Sequence, residues 1–380
     1  MERIVQKEWF SKLIDGLLPV LATLAALAVG TVMLMILRVN PVEAYSALWD
    51  GAFGSTNALA ETLVKATPLL LVALGICIAF RGNVINIGGE GQMIIGAIAA
   101  TLVGLTFTNL PGWLVIVIAM VVGFLGGAVW GGIPGVLKAY FRVNEILSTV
   151  MMNAIAVQLM NFLLRGPLID PAQAELDSKI PQTARLLDAF RLPRLAPTRL
   201  HFGFVIALAL AILVYILLWR TTMGYRIRAV GQNPHASRYA GINVKKRIAT
   251  ALLLSGAFAG LAGAIQVYGV NYRMITDGSA SGFTGSAGFN GIVAALFGQL
   301  HPIGAIPASI FFGALLVGAN KMQRVVQIPS ALITALNGLV VVFVVSSEFW
   351  RQRRQHRRLS AAEGEDQQSS AIPSTVEEQA

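Results

Sequence analysis

The sequence predicts an all-α polytopic membrane protein: about ten transmembrane helices, arranged as two inverted five-helix halves with broken, glycine-rich helices. Three observations lead there. Of 380 residues, 55% are apolar and only 13% charged, against roughly 25% charged in a soluble domain. Apolar runs long enough to cross about 30 Å of hydrocarbon recur along the chain. Two polar, glycine-rich stretches, 82–92 and 271–290, interrupt those runs at matching places in the two halves.

Taken in order, residues 1–16 mix acids and bases and read as a cytoplasmic N-terminus. The run 17–37 has 21 residues, too long for a signal-peptide core, and reads as an uncleaved first span. Residues 38–65 follow outside, with an amphipathic stretch at 58–64. The span 68–80, extended backwards to 63, returns inward to Arg81. GNVINIGGEGQ (82–92) then breaks the chain before the apolar segment 93–107. Spans at 113–137 and 146–164 are joined by a basic turn, 138–145. Residues 165–200, with five prolines, form the largest external loop. The second half repeats this outline: a span at 202–219, a basic loop, a span at 248–268, the break 271–290, a short apolar piece 291–300, then spans at 303–319 and 330–345. The membrane-spanning core is thus 17–350, divided into 17–164, the loop 165–200, and 201–350 with its cytoplasmic loop 220–247. Residues 351–380 are a basic, then polar tail, without apolar periodicity and disordered from about 359.

An odd number of spans per half forces the halves into opposite orientations. Eighteen of the 29 Lys and Arg fall in segments that this threading places inside, which sets both termini in the cytoplasm of a cell with the chain in its inner membrane. The net charge of +10 is therefore read as headgroup anchoring to membrane lipid, not as nucleic-acid binding. Lone Cys77 excludes an intrachain disulfide. The four His have no ligand spacing, so no metal or other cofactor is expected. Neither a phosphate loop nor a nucleophile elbow occurs, so the chain is expected to be non-catalytic.

Residues 223–247 contain a short helix with its own start and stop signals. Asn233 suits the N-cap, Pro234 the first helical position, and Gly241 the left-handed residue that ends it. Too short to stand alone in water, it must lie against something. The stretch carries Arg226, Arg228, Arg238, Lys245, Lys246 and Arg247 and no acid. Docking of a cytosolic subunit and a loop resting on lipid headgroups both fit.

Candidates for a solute pathway come from the breaks. Paired glycine-interrupted segments point to a midplane site in transporters. Glu90, with Asn86 and Gln92, is a cavity-lining or gate-ordering residue, or else a first-turn acid that complements its own helix dipole. Asn153 offers a substrate hydrogen bond or a helix–helix bond. In the second half Asn290 and Gln299 are the counterparts, with Phe283 and Phe289 able to stack on a flat ligand or simply to pack.

FRGNVINIGGEGQ, VNEILSTVMMNAIA and RAVGQNPHASRYAGINVKKR closely resemble permease subunits of bacterial ABC importers, in the branch serving nucleosides and simple sugars. That branch is related to branched-chain amino-acid and ribose permeases. The resemblance covers 17–350. The fourth position of NIGGEGQ is often Ala in that branch, where Gly89 stands here. The resemblance implies that Gly231, Asn233, Pro234, Arg238, Tyr239 and Gly241 dock a separate cytosolic ATP-binding subunit. It further implies a second permease subunit completing a heterodimeric pore, and an extracytoplasmic substrate-binding lipoprotein. The solute would be a nucleoside, often a purine, with a simple sugar such as ribose as the alternative. An ion-coupled secondary transporter is the rival from another class.

Overall fold

The computed structural model describes residues 21–176 and 180–329, with further helical positions scattered between 332 and 346. Of the expected last span, 330–345, residues 332, 335, 336 and 338–343 are described and helical, whereas the tail 351–380 lies wholly outside the described residues. The chain forms two compact units. In the first, residues 1–38 with 334–380, the main described element is helix α1, Leu21–Ile36. The second, residues 39–333, carries everything that follows.

Its elements are α2 (Pro41–Phe53), α3 (Thr56–Arg81), α4 (Gly89–Thr106), α5 (Gly112–Phe141), α6 (Glu145–Arg165) and the single turn α7 (Pro171–Ala174). Then follow α8 (Gly203–Arg220), α9 (Thr222–Gln232), α10 (Pro234–Tyr239) and α11 (Val244–Gln266). After these come α12 (Ala280–Thr284), α13 (Ala287–Phe297) and α14 (Ala305–Val326). Among the described residues, seven helices are long and apolar enough to cross a membrane, while α1 and α13 are shorter apolar helices.

Two helices make the core. Every residue from 66 to 79 of α3 and from 255 to 266 of α11 is buried, as expected of a helix that is apolar all round. They cross at Gly75, whose missing side chain admits the Ser255 carbonyl. Helix α11 also packs on α5 and α4, and α3 on α14 and α13. The α5–α11 contact is close because glycines face each other: a Cβ on Gly260 would strike the Gly123 carbonyl, and one on Gly256 that of Gly127. Such approach of backbones is the usual means of helix association where lipid removes the hydrophobic drive. The opposite face of α5 exposes Val117, Val121, Leu125, Val129 and Ile133.

Several expected boundaries move. The stretch 58–64, read as part of an external loop, is the start of α3. Pro68, the expected span start, lies inside that 26-residue helix. The amphipathic piece of this segment is instead α2, capped by Asn40, with Trp49 exposed and Ala44, Ala47 and Ala52 buried. Helix α5 runs through Pro134 to Phe141, so Lys138 sits on a helix and reaches Glu145 at 2.5 Å. Residues 222–232, read as basic loop, form α9, which lies over the end of α3. Its polar sequence hid it, because only Gly224, Ile227 and Val230 are buried.

The loop after α6 does not hang free. Thr183 N donates to Met274 O at 2.9 Å, Leu186 N to Tyr272 O at 2.8 Å, and Leu192 N to Tyr268 O at 3.0 Å. Leu186, Phe190 and Leu192 are buried. The loop is thus stitched to the chain leaving α11, where one π-helical turn, Val267–Asn271, carries the buried Tyr268.

Candidate functional site

Two helices begin inside the bundle. Helix α3 ends at Arg81, and the chain runs non-helically through 82–88 before α4 starts at Gly89. In the second half it runs through 272–286, including α12, before α13 starts at Ala287. The two starts touch. A Cβ on Gly288 would collide with Glu90 N, and Gly89 lies against Gly288 and Val72. Val72 is near the middle of α3, so the meeting point lies well inside the span.

Helix starts leave amide donors unsatisfied, and a buried start needs partners. Most helices here use their own preceding residue: Asn40, Ser55, Asn144, Thr221, Asn233, Asn243 and Ser279 each accept from the first turn. Helices α4 and α13 have no such cap, being preceded by Gly88 and by Ser286 in a left-handed conformation. Their caps come from elsewhere in the fold. Asn153 on α6 accepts from Gly91 N at 2.8 Å with Oδ1 and donates to Ile87 O at 2.9 Å with Nδ2. Glu90 on α4 accepts from Phe289 N at 3.1 Å with Oε1. Its other oxygen, Oε2, is buried without a hydrogen-bond partner among the described residues. Thr284 and Gly288 lie beside the carboxyl, but the Thr284 hydroxyl donates its proton to Ala280 O at 2.9 Å.

The sequence-predicted residues thus separate into two groups. Asn86, Gln92 and Asn153 meet around the first break. Asn86 Nδ2 donates to Gln92 Oε1 at 2.9 Å and to Ser255 Oγ at 2.8 Å. Gln92 Nε2 returns a bond to Asn86 Oδ1 at 3.1 Å, and that oxygen also accepts from Gly88 N. Ile87 N donates to Thr149 Oγ1 at 3.3 Å. These side chains satisfy a backbone that has left the helix. Glu90 belongs to both breaks. Phe289 is 48% exposed and Asn290 half-exposed beside it, whereas Phe283 is buried on α12. Gln299 lies apart, in the turn after α13, with φ 58°. Sequence reasoning passed over Ser255 and Thr284. Ser255 is a lone hydroxyl in a small-residue run and Thr284 is one of several in a Ser- and Gly-rich stretch, and nothing local distinguishes them.

The other candidate group lies at the Arg81 end. Asn233 caps α10 by accepting from Ala236 N at 3.0 Å, Pro234 opens it, Ala240 closes it, and Gly241 has φ 76°. Arg238 is exposed and Tyr239 is 95% exposed. Gly231 faces inward instead: a Cβ there would strike the Arg81 carbonyl and crowd Asn83 N. Beside it, the guanidinium groups of Arg81 and Arg228 lie over the Trp219 ring at 5.3 Å and 5.7 Å. Trp219 also contacts His301 at 4.9 Å and stacks on Tyr215 at 5.4 Å. Arg81 reaches Leu300 O at 3.4 Å. This cluster joins α3, α8, α9 and the turn between α13 and α14. Burial and the neighbouring Arg81 charge lower the His301 pKa.

Residues 58–345 match the family described as the permease component of branched-chain amino acid transport systems. The guanosine ABC transporter permease NupP of Bacillus subtilis is 37% identical over 331 residues, covering 87% of this chain and 93% of that protein. The glucose ABC transporter permease TsgB13 of Haloferax volcanii is 34% identical over 347 residues, 88% of each chain. The nucleoside ABC transporter permease NupB of Lactococcus lactis is 30% identical over 335 residues, 86% of this chain and 90% of that protein. No solved structure matches the chain. A multi-pass helical protein with two broken helices meeting inside its bundle, matched by this profile over most of its length, belongs to the family of transport-system permease components.

Proposed function

We propose that the chain is the pore-forming membrane subunit of an ATP-driven importer and that it carries a nucleoside, a purine nucleoside foremost. The observation that carries the reading is near-full-length similarity to the guanosine and nucleoside permeases of two bacteria. The glucose permease relative keeps a simple sugar as the second reading.

The working parts follow from the geometry. Helix packing repeats between the halves: α3 on α14 as α11 on α5, α13 on α3 as α4 on α11, and α4 on α5 as α13 on α14. This supports two related halves; the basic bias of the loops adds the reading of ten spans, five per inverted half, with both termini in the cytoplasm. The passage runs past the α4–α13 meeting point, where Phe289 and Asn290 contact solute and the buried Glu90 stands behind them. Asn86, Gln92, Asn153 and Phe283 hold the walls.

Helix α10, with Arg238 and Tyr239 outermost, docks a separate ATP-binding subunit. Hydrolysis there moves α9, and Gly231 passes that displacement to the end of α3 and the 82–88 break. A second permease subunit completes the pore. The two guanosine permeases of Bacillus subtilis, NupP and NupQ, offer the parallel for a heterodimer. A substrate-binding lipoprotein delivers the solute from outside.

The test is purification through a tag on this chain, together with uptake of labelled guanosine. Wild type should bring down an ATP-binding subunit and import guanosine, with unlabelled glucose a poor competitor. Arg238→Glu should lose the subunit and at least tenfold in uptake while still inserting. Normal uptake by that variant removes the docking role, and strong glucose competition moves the substrate to the sugar reading.

A further inference from the structure

Helices α4 and α13, of 18 and 11 residues, present their N-termini to each other inside the bundle without local side-chain caps. An N-terminus carries roughly half a positive charge and free amide donors, a ready site for an anion. Two of them facing each other repel unless a negative charge stands between. In transporters built on broken helices, such ends take a carboxylate of the solute. Here the space is already filled. Glu90 is 1% exposed, stands in the first turn of α4, and accepts from the first turn of α13 through Oε1. Its Oε2 is buried without a hydrogen-bond partner among the described residues. The carboxyl of this first-turn α4 residue thus lies against Phe289, Gly288 and Thr284, around the start of α13.

We infer that Glu90 is a built-in anion occupying the site formed by the converging N-termini of α4 and α13, so that the passage beside it is left to uncharged solute. Glu90 is then a positioning and specificity-determining residue. It fixes the two half-helices against each other and denies their amides to any carboxylate or phosphate of the solute. The consequence for solute choice rests on the nucleoside reading, since a nucleoside carries neither group. The electrostatic assignment does not rest on it.

The experiment follows thermal unfolding of the purified full chain. Glu90→Ala should melt lower than wild type, and about 100 mM formate should restore about 3 °C or more by filling the vacancy. Formamide, of the same size but neutral, should not. Wild type should respond to neither. Where Glu90→Ala does not fold, Glu90→Asp and Glu90→Gln decide. The charge-keeping, shorter Asp should melt above the isosteric but neutral Gln, and guanosine uptake by the complete transporter should fall in the same order. Equal effects of formate and formamide, or a Glu90→Gln variant within about 1 °C of wild type, overturn the inference even if wild type imports guanosine. Formate rescue upholds the site even if the imported solute proves to be a sugar.

Discussion

His201 shows how a single buried group responds to pH. It sits just before α8, 1% exposed, with Nδ1 accepting from Gly203 N at 3.2 Å and Nε2 buried without a partner among the described residues. Burial lowers its pKa to about 4. The unfolded chain binds a proton near pH 6.5, whereas the folded chain resists it until about 4. Its contribution is therefore whole above pH 6.5 and is lost as pH falls toward 4, at most about 3 kcal/mol. Thermal melting of wild type should drop across that window, and His201→Gln should flatten the drop. Asn153 makes a second residue-scale case. Asn153→Leu leaves the Gly91 N–H and Ile87 C=O buried and unpaired, so it should cost about 2 kcal/mol or more in unfolding experiments. The sequence offered substrate contact and helix–helix bonding for this residue. The structure shows it bonded to the broken backbone of the neighbouring element.

At the scale of elements, the α9–α10 hairpin tests whether close contact transmits motion. Gly231→Leu would push α9 off the end of α3, where the Arg81 carbonyl now lies. The expected outcome is a chain that inserts and still holds its ATP-binding partner, yet loses most uptake in the vesicle assay. Gly241→Val acts differently. It forces a β-branched residue into φ 76°, which costs about 1–2 kcal/mol and frays the end of α10. Partner binding should weaken several-fold, read by titrating the ATP-binding subunit onto the immobilised chain. Helix α10 was legible in the sequence because its signals are local: a cap, a proline and a terminal glycine within nine residues. Helix α9 was not, because its three buried residues acquire meaning only against the end of α3.

At the scale of the whole molecule, the proposed division between a pore and a separate ATP-driven engine can be tested directly. Vesicles containing this chain alone should not concentrate guanosine. With all partners present, accumulation should stop on ATP depletion and persist when a protonophore abolishes the proton gradient. The reverse pattern would return the chain to the ion-coupled class. By itself the sequence determined the apolar helical class, the two glycine-rich breaks, the short capped helix and the transporter resemblance. Each is written in composition or in neighbours a few residues apart. Only the tertiary structure decided where the two breaks meet, that Asn153 and Glu90 cap helices other than their own, and that the 165–200 loop is stitched to the chain after α11. The physical reason is that a helix begun inside a bundle must find its missing hydrogen-bond partners across space, and the sequence order does not record which side chain arrives.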